Sequence, residues 1–221
     1  MLQRFASLAS LICICIVGFI ISVACQASEQ GRFELSTSSP TGTYQVHCKE
    51  VDIQDAEHHE VRFDVFKGRS PLIQKEVLYE GGRYDDKFSK LFPEHSWPSA
   101  SVLRFGRKDR LPEYQHDEVT VANETDRTVA YLRLNAGKYE AFLVFELLPK
   151  SSVTLNVQPQ TDDGRDASYI GCKGRLDNGN PIAESAGNFR VRGKYRGRAH
   201  YAVNITDQGV SIKSKEFELL P

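Results

Sequence analysis

The sequence predicts an all-β protein, an antiparallel β-sandwich in two packed units behind an apolar N-terminal leader. Three observations carry this. Apolar residues recur at every second position through most of the chain, the period of a half-buried strand. Turn-forming pairs punctuate those runs: Ser39-Pro40-Thr41-Gly42, Gly68-Arg69-Ser70-Pro71, Asp163-Gly164, Asn178-Gly179 and Gln208-Gly209. Helical periodicity is scarce, and alternation instead of solid apolar runs favours antiparallel sheets with one wet face.

The leader comes first. Arg4 and the α-amine carry positive charge, no further charge follows until Glu29, and Leu11 to Ile21 (LICICIVGFII) is almost unbroken apolar sequence. This is the layout of an export signal. Three fates fit residues 1–27: cleavage after Ala27, cleavage before Cys25 with lipid added to that cysteine, or retention as a membrane-anchoring helix. Ala24 and Val23 suit the lipoprotein pattern, whereas Ser22 stands where a leucine-like residue is usual. All three place the body of the chain across a membrane, in the periplasm, the cell envelope or the extracellular space.

The strands follow in order. TYQVHCKEV aligns Tyr44, Val46 and Cys48, and EVRFDVF aligns Val61, Phe63 and Val65. YDDKFSKLF (84–92) offers a helical turn or two with Tyr84, Phe88 and Leu91 on one side, inside an otherwise irregular segment, 81–100. SVLRF (101–105) is a short strand. EVTVAN, NETDR and TVAYLRL read as a hairpin across residues 118–134. YEAFLVFEL (139–147) has the composition of a fully buried strand, and SVTLNV aligns Val153, Leu155 and Val157. SYIGCKGRL, a basic tract, YAVNI and VSIKSKEFEL complete about ten to twelve strands, the number expected of sandwiches or barrels. Residues 32–106 form an N-terminal β unit, 117–221 a second unit, and the charged GRKDRLPEYQHDE (106–118) the joint; one larger sandwich is the alternative. The stretch VTVANETDRTVAYLRL followed by LLPKSS resembles the immunoglobulin-like modules of exported proteins, and SSPTGTYQV looks like the start of a strand common in bacterial envelope proteins. The resemblance implies a fold and no activity.

Of five cysteines, Cys13, Cys15 and Cys25 belong to the leader or its edge. Cys48 and Cys172 remain as a candidate disulfide in an exported chain, with two separate buried thiols as the alternative. A bond between them would close a loop of roughly 100 residues or more, worth about 4–5 kcal/mol in chain-entropy terms.

Charge is near balance, 28 Lys+Arg against 29 Asp+Glu, so no global field draws nucleic acid or membrane. Nucleophile elbows and phosphate loops are absent, and no motif calls for a cofactor. DAEHHE (55–60) is the most metal-like cluster, but His58 and His59 are neighbours on a strand and point apart, so no metal site is expected. Segment 79–97 gathers Tyr79, Tyr84, Phe88, Phe92, His95 and Trp97 near Asp85, Asp86 and Glu94. Exposed, these aromatics suit a sugar ring, with Tyr84, His95 and Trp97 as candidate binding residues; buried, they fill the end of a sandwich. Asn123-Glu124-Thr125 and Asn204-Ile205-Thr206 are glycosylation sequons, relevant only in a glycosylating secretory route.

The basic tract RVRGKYRGRAHY (190–201) sets Arg190, Arg192, Lys194, Arg196, Arg198 and His200 on one side if extended. Arginine forks suit phosphate and carboxylate. Tyr195 and Tyr201 fall on the opposite side, away from any base the arginines would hold, which argues against nucleic acid as the partner. An envelope polyanion or a protein partner are the candidates, against an ordinary solvated edge protected by charge. The expectation is a non-catalytic binding or structural component of the cell envelope, with carbohydrate binding or carbohydrate chemistry through 81–100 and polyanion binding through 190–200 as alternatives.

Overall fold

The computed structural model describes residues 33–52, 58–82, 87–107, 116–137, 140–158, 167–190 and 197–219. They form fourteen strands and one helical turn. The strands are β1 (Glu34–Ser38), β2 (Tyr44–Asp52), β3 (His58–Lys67), β4 (Ser70–Gly82), β5 (Glu94–Ser99), β6 (Val102–Gly106), β7 (Asp117–Asn123), β8 (Val129–Ala136), β9 (Glu140–Leu147), β10 (Ser152–Val157), β11 (Ala167–Leu176), β12 (Pro181–Arg190), β13 (Gly197–Thr206) and β14 (Gly209–Leu219); the turn is α1 (Phe88–Leu91). The leader, residues 1–27 with Cys25, lies outside the described residues. Among those described, no helix is long and apolar enough to cross a membrane.

The strands make three sheets, ordered β1-β2-β3-β4, β12-β11-β8-β9-β6-β5 and β10-β7-β13-β14. The six-stranded sheet is the middle layer. On one side Leu103, Phe105, Tyr131, Ala141, Leu143 and Phe145 pack against Val46, Phe63 and Val65 of the first sheet. On the other side Val102, Leu132, Leu134, Phe142 and Val144 pack against Val119, Val121, Leu155 and Val203. This explains β9: EAFLVFEL is buried at nearly every position because a core lies on both sides of it. β5 and β6, upstream of the predicted joint, are built into the same sheet as β8 and β9.

Local chemistry sets the hairpins. At the β1–β2 turn Gly42 takes φ 69°, its N–H donates to the Ser39 carbonyl (2.8 Å), and Ser39 Oγ accepts from the Tyr44 N–H (3.0 Å). That left-handed conformation is cheap only without a Cβ. β4 is irregular against β3: Lys75 takes φ 55° and its N–H is held by Asp64 Oδ1 at 2.7 Å. The face predictions for β2 and β3 hold, with Tyr44, Val46, Cys48, Val61, Phe63 and Val65 all buried.

The fold corrects several expectations. Residues 118–134 are not a hairpin. β7 lies in the third sheet and β8 in the middle one, so the chain crosses between layers at NETDR. Alternation reports which side of a strand is buried and is silent on its neighbours. Not every pair is antiparallel: β7 and β13 run parallel, Val121 opposite Val203. Segment 81–100 holds the expected helical turn, α1, and also a strand, β5, where an irregular path was expected, and its described aromatics Phe88, Phe92 and Trp97 pack on the first core. Phe88 meets Phe33, Tyr79, Phe92 and Phe105 with ring centroids 4.7–5.8 Å apart. No disulfide joins Cys48 to Cys172. Cys48 sits in the core of the first sheet and Cys172 in that of the third, so the middle sheet separates the two thiols.

Candidate functional site

The two sheets enclosing the second core are unequal, six strands against four. β14 packs on β12 at one margin, and β10 reaches β9 toward the other. β6 and β5 therefore project beyond β10 with no strand of the third sheet above them among the described residues. The ledge so formed bounds a cleft of about 500 Å³. Val153, Thr154, Leu155 and Asn156 of β10 form one wall, and Ser96, Pro98 and Ser99 of β5 the opposite rim. Val102, Arg104 and Phe142 make the floor, and His116 closes an end.

The charges around the cleft are matched. Arg104 Nε meets Glu140 Oε1 at 2.5 Å, with both side chains largely buried, and Glu140 Oε2 accepts the Gln158 N–H at 2.8 Å. Such a pair withstands burial because the carboxylate's second oxygen is also satisfied. Beside Asn156, Arg198 Nη2 donates to Asn156 Oδ1 (3.3 Å) and pairs with Glu118 Oε1 (2.5 Å); Glu118 Oε2 faces His200 Nδ1 at 2.9 Å. Asp117 is buried and accepts the Ala199 N–H at 2.8 Å. Burial pushes its carboxyl up to about 6, against the pull of that hydrogen bond and of the neighbouring His200, Arg198 and His116.

The structure distributes the residues nominated from sequence. β5 divides them: Trp97 faces the first core, stacking near Phe145 (centroids 6.1 Å apart) and donating Nε1–H to Thr37 Oγ1 at 3.0 Å, while Ser96 and Pro98 line the cleft. His95 is half-buried, and desolvation lowers its pKa. Tyr84 lies outside the described residues. The basic tract is not one strand face: Arg190 ends β12 in the middle sheet, whereas Arg198 and His200 lie in β13, an interior strand of the third. Arg192, Lys194 and Arg196 lie outside the described residues. Among the described residues of the nominated set, Arg198 comes next to the cleft, committed to Glu118 and Asn156. No group of three His, Cys, Asp or Glu among the described residues is arranged to hold a metal ion.

Arg104, His116 and Asn156 are not among the binding residues nominated from sequence, and Ser96 and Pro98 lie in segment 81–100 without being among its nominated residues, since the cleft is made by unequal strand numbers in two layers. One signal was present: SVTLNV has neither charge nor proline. No protein-family model, curated protein or solved structure matches the chain.

Proposed function

We propose that this protein is an exported, non-catalytic binding or structural component of the cell envelope, and that its binding region is the cleft beside β10. The leader supports export, and the second unit is read as an immunoglobulin-like sandwich, a framework that commonly presents binding surfaces. The observation that carries the reading is the ledge of β5 and β6. It gives an exposed strand margin a floor and a far wall, and every charged side chain named there has a partner. A protein partner suits such a backbone-lined margin better than a glycan or polyanion, because Tyr79, Phe88, Phe92 and Trp97 pack on the first core and Arg198 is committed to Glu118 and Asn156.

The test places a photo-reactive residue at Ser96 in cells carrying the full chain, with the same residue at the exposed Lys213 as control. Crosslinks at 96 that the control lacks are expected; equal labelling at both would discard the cleft. Steady turnover on a broad panel of hydrolase and carbohydrate substrates would discard the non-catalytic reading. Intact mass of membrane-extracted protein decides among lipid on Cys25, cleavage after Ala27 and a retained leader.

A further inference from the structure

β10 stands apart from the other sheet margins. β1 is short and opens with Glu34; β4 carries Lys75 and three register breaks; β5 has Glu94, Pro98 and a register break; β12 begins at Pro181; β14 carries Lys213, Lys215, Glu216 and Glu218. Charge, proline and irregular pairing are the devices that stop a margin from accepting another strand. β10 has none of them: SVTLNV is uncharged, without proline, and pairs with β7 in unbroken register from Ser152 to Val157.

The phase of its ladder is fixed. The Asn123 N–H donates to the Ser151 carbonyl at 2.9 Å, which makes 123 and 151 a hydrogen-bonded pair. Stepping by two along the register, 121/153, 119/155 and 117/157 are of the same kind. Ser152 and Thr154 fall in the alternate pairs, so their N–H and C=O groups point away from β7, toward the cleft. Thr154 Oγ1 lies 3.4 Å from Thr120 Oγ1, the close side-chain approach expected of such a pair.

The layers decide what fits there. A second copy pairing β10 with β10 would carry its own six-stranded sheet in the same layer, and its β5 and β6 would collide with the ledge. A single extended segment has no second layer. At about 4.8 Å between strands it lies beside β10 and over β6, within the reach of the ledge. Its floor-facing side chains come nearest Arg104, whose charge is already matched by the buried Glu140, so an unpaired charge at those positions would be costly.

Building on the cleft as the binding region, we propose that β10 accepts an extended peptide segment of a partner as a fifth strand of the four-stranded sheet, with uncharged side chains at its floor-facing positions. The probe is a fluorescein-labelled heptapeptide of alternating Thr and Val, added to the full chain and followed by anisotropy. Saturable binding is expected, with at least tenfold slower hydrogen exchange at Ser152 and Thr154. A fully N-methylated peptide should not bind. Thr154→Pro removes an outward N–H without touching the β7 ladder, and Ser96→Arg fills the ledge from a different sheet; each should weaken binding at least tenfold with an unchanged thermal midpoint. Absence of saturable binding, equal binding of the N-methylated peptide, or unchanged affinity in Ser96→Arg overturns the proposal. A concentration-dependent dimer abolished by Thr154→Pro also overturns it, in favour of a second copy. Crosslinks at Ser96 to a lipid or glycan, without peptide binding, sink strand addition while leaving the cleft as the binding region; no specific crosslinks and no peptide binding sink both.

Discussion

Tyr44 donates its phenolic proton to Glu146 Oε2 at 2.5 Å, although 102 residues separate them in the chain. Lys67 Nζ approaches the same carboxylate at 2.8 Å. The contact ties β2 and the end of β3 to β9, and Glu146 reaches it by adopting φ 49°, off the alternation of its strand. Burial tends to raise the Glu146 pKa, but the hydrogen bonds from Lys67 and Tyr44 outweigh it and the net shift is downward. A carboxyl depressed in the folded state stabilises above its unfolded pKa and loses that contribution as pH falls through the folded one. Glu146→Gln should therefore flatten the stability profile below about pH 4.5. Tyr44→Phe should cost about 1–2 kcal/mol at pH 7 in denaturant titration.

Asp117 behaves oppositely. Its folded pKa is raised to about 6 from an ordinary 3.8, so its contribution is largest below the unfolded value and is lost as pH rises through the folded one. Asp117→Asn keeps an oxygen for the Ala199 N–H and removes the buried charge. The variant should gain on the wild type as pH rises from 4 to 7, reaching about 1–3 kcal/mol, read from urea midpoints across that range. A variant less stable than wild type at pH 7 would contradict this account.

Asn123 is 1% exposed and ties the corner where the chain changes sheets. Its Nδ2 donates to the carbonyls of Arg127, Leu147 and Leu148, and its Oδ1 accepts from the N–H and Oγ1 of Thr125. The amide nitrogen that a glycan would occupy is thus spent on the fold. Asn123→Ala strands several buried groups and should cost about 3 kcal/mol, a large effect for one side chain. Thermal unfolding of the variant against Asn204→Ala, a half-buried strand position, gives the comparison.

Cys48 and Cys172 should behave as protected thiols. Burial, reinforced by the nearby Asp64 carboxylate, pushes the Cys48 thiol far up, so little thiolate forms. Both should react with a thiol reagent only on unfolding, and peptide mapping without reductant should find no Cys48–Cys172 linkage. Reductant should leave the melting temperature unchanged.

The sequence by itself determined local features: most of the strands, though not β4, β5 or β12, the buried sides of β2 and β3, the turns at Gly42, Gly68, Gly179 and Gly209, and the burial of β9 on both sides. Each follows from side-chain period and turn chemistry, which act over a few residues. The tertiary structure decided the neighbours. The Asn123 corner, the parallel β7–β13 pair, the separation of the two thiols and the division of β5 between Trp97 inward and Ser96 toward the cleft all depend on which strands meet. Strand pairing is cemented by backbone hydrogen bonds common to every sequence, so the residues carry little record of their partners. The ledge beside β10 belongs to the same class: it exists because six strands face four, a property of the assembled layers and of no single residue.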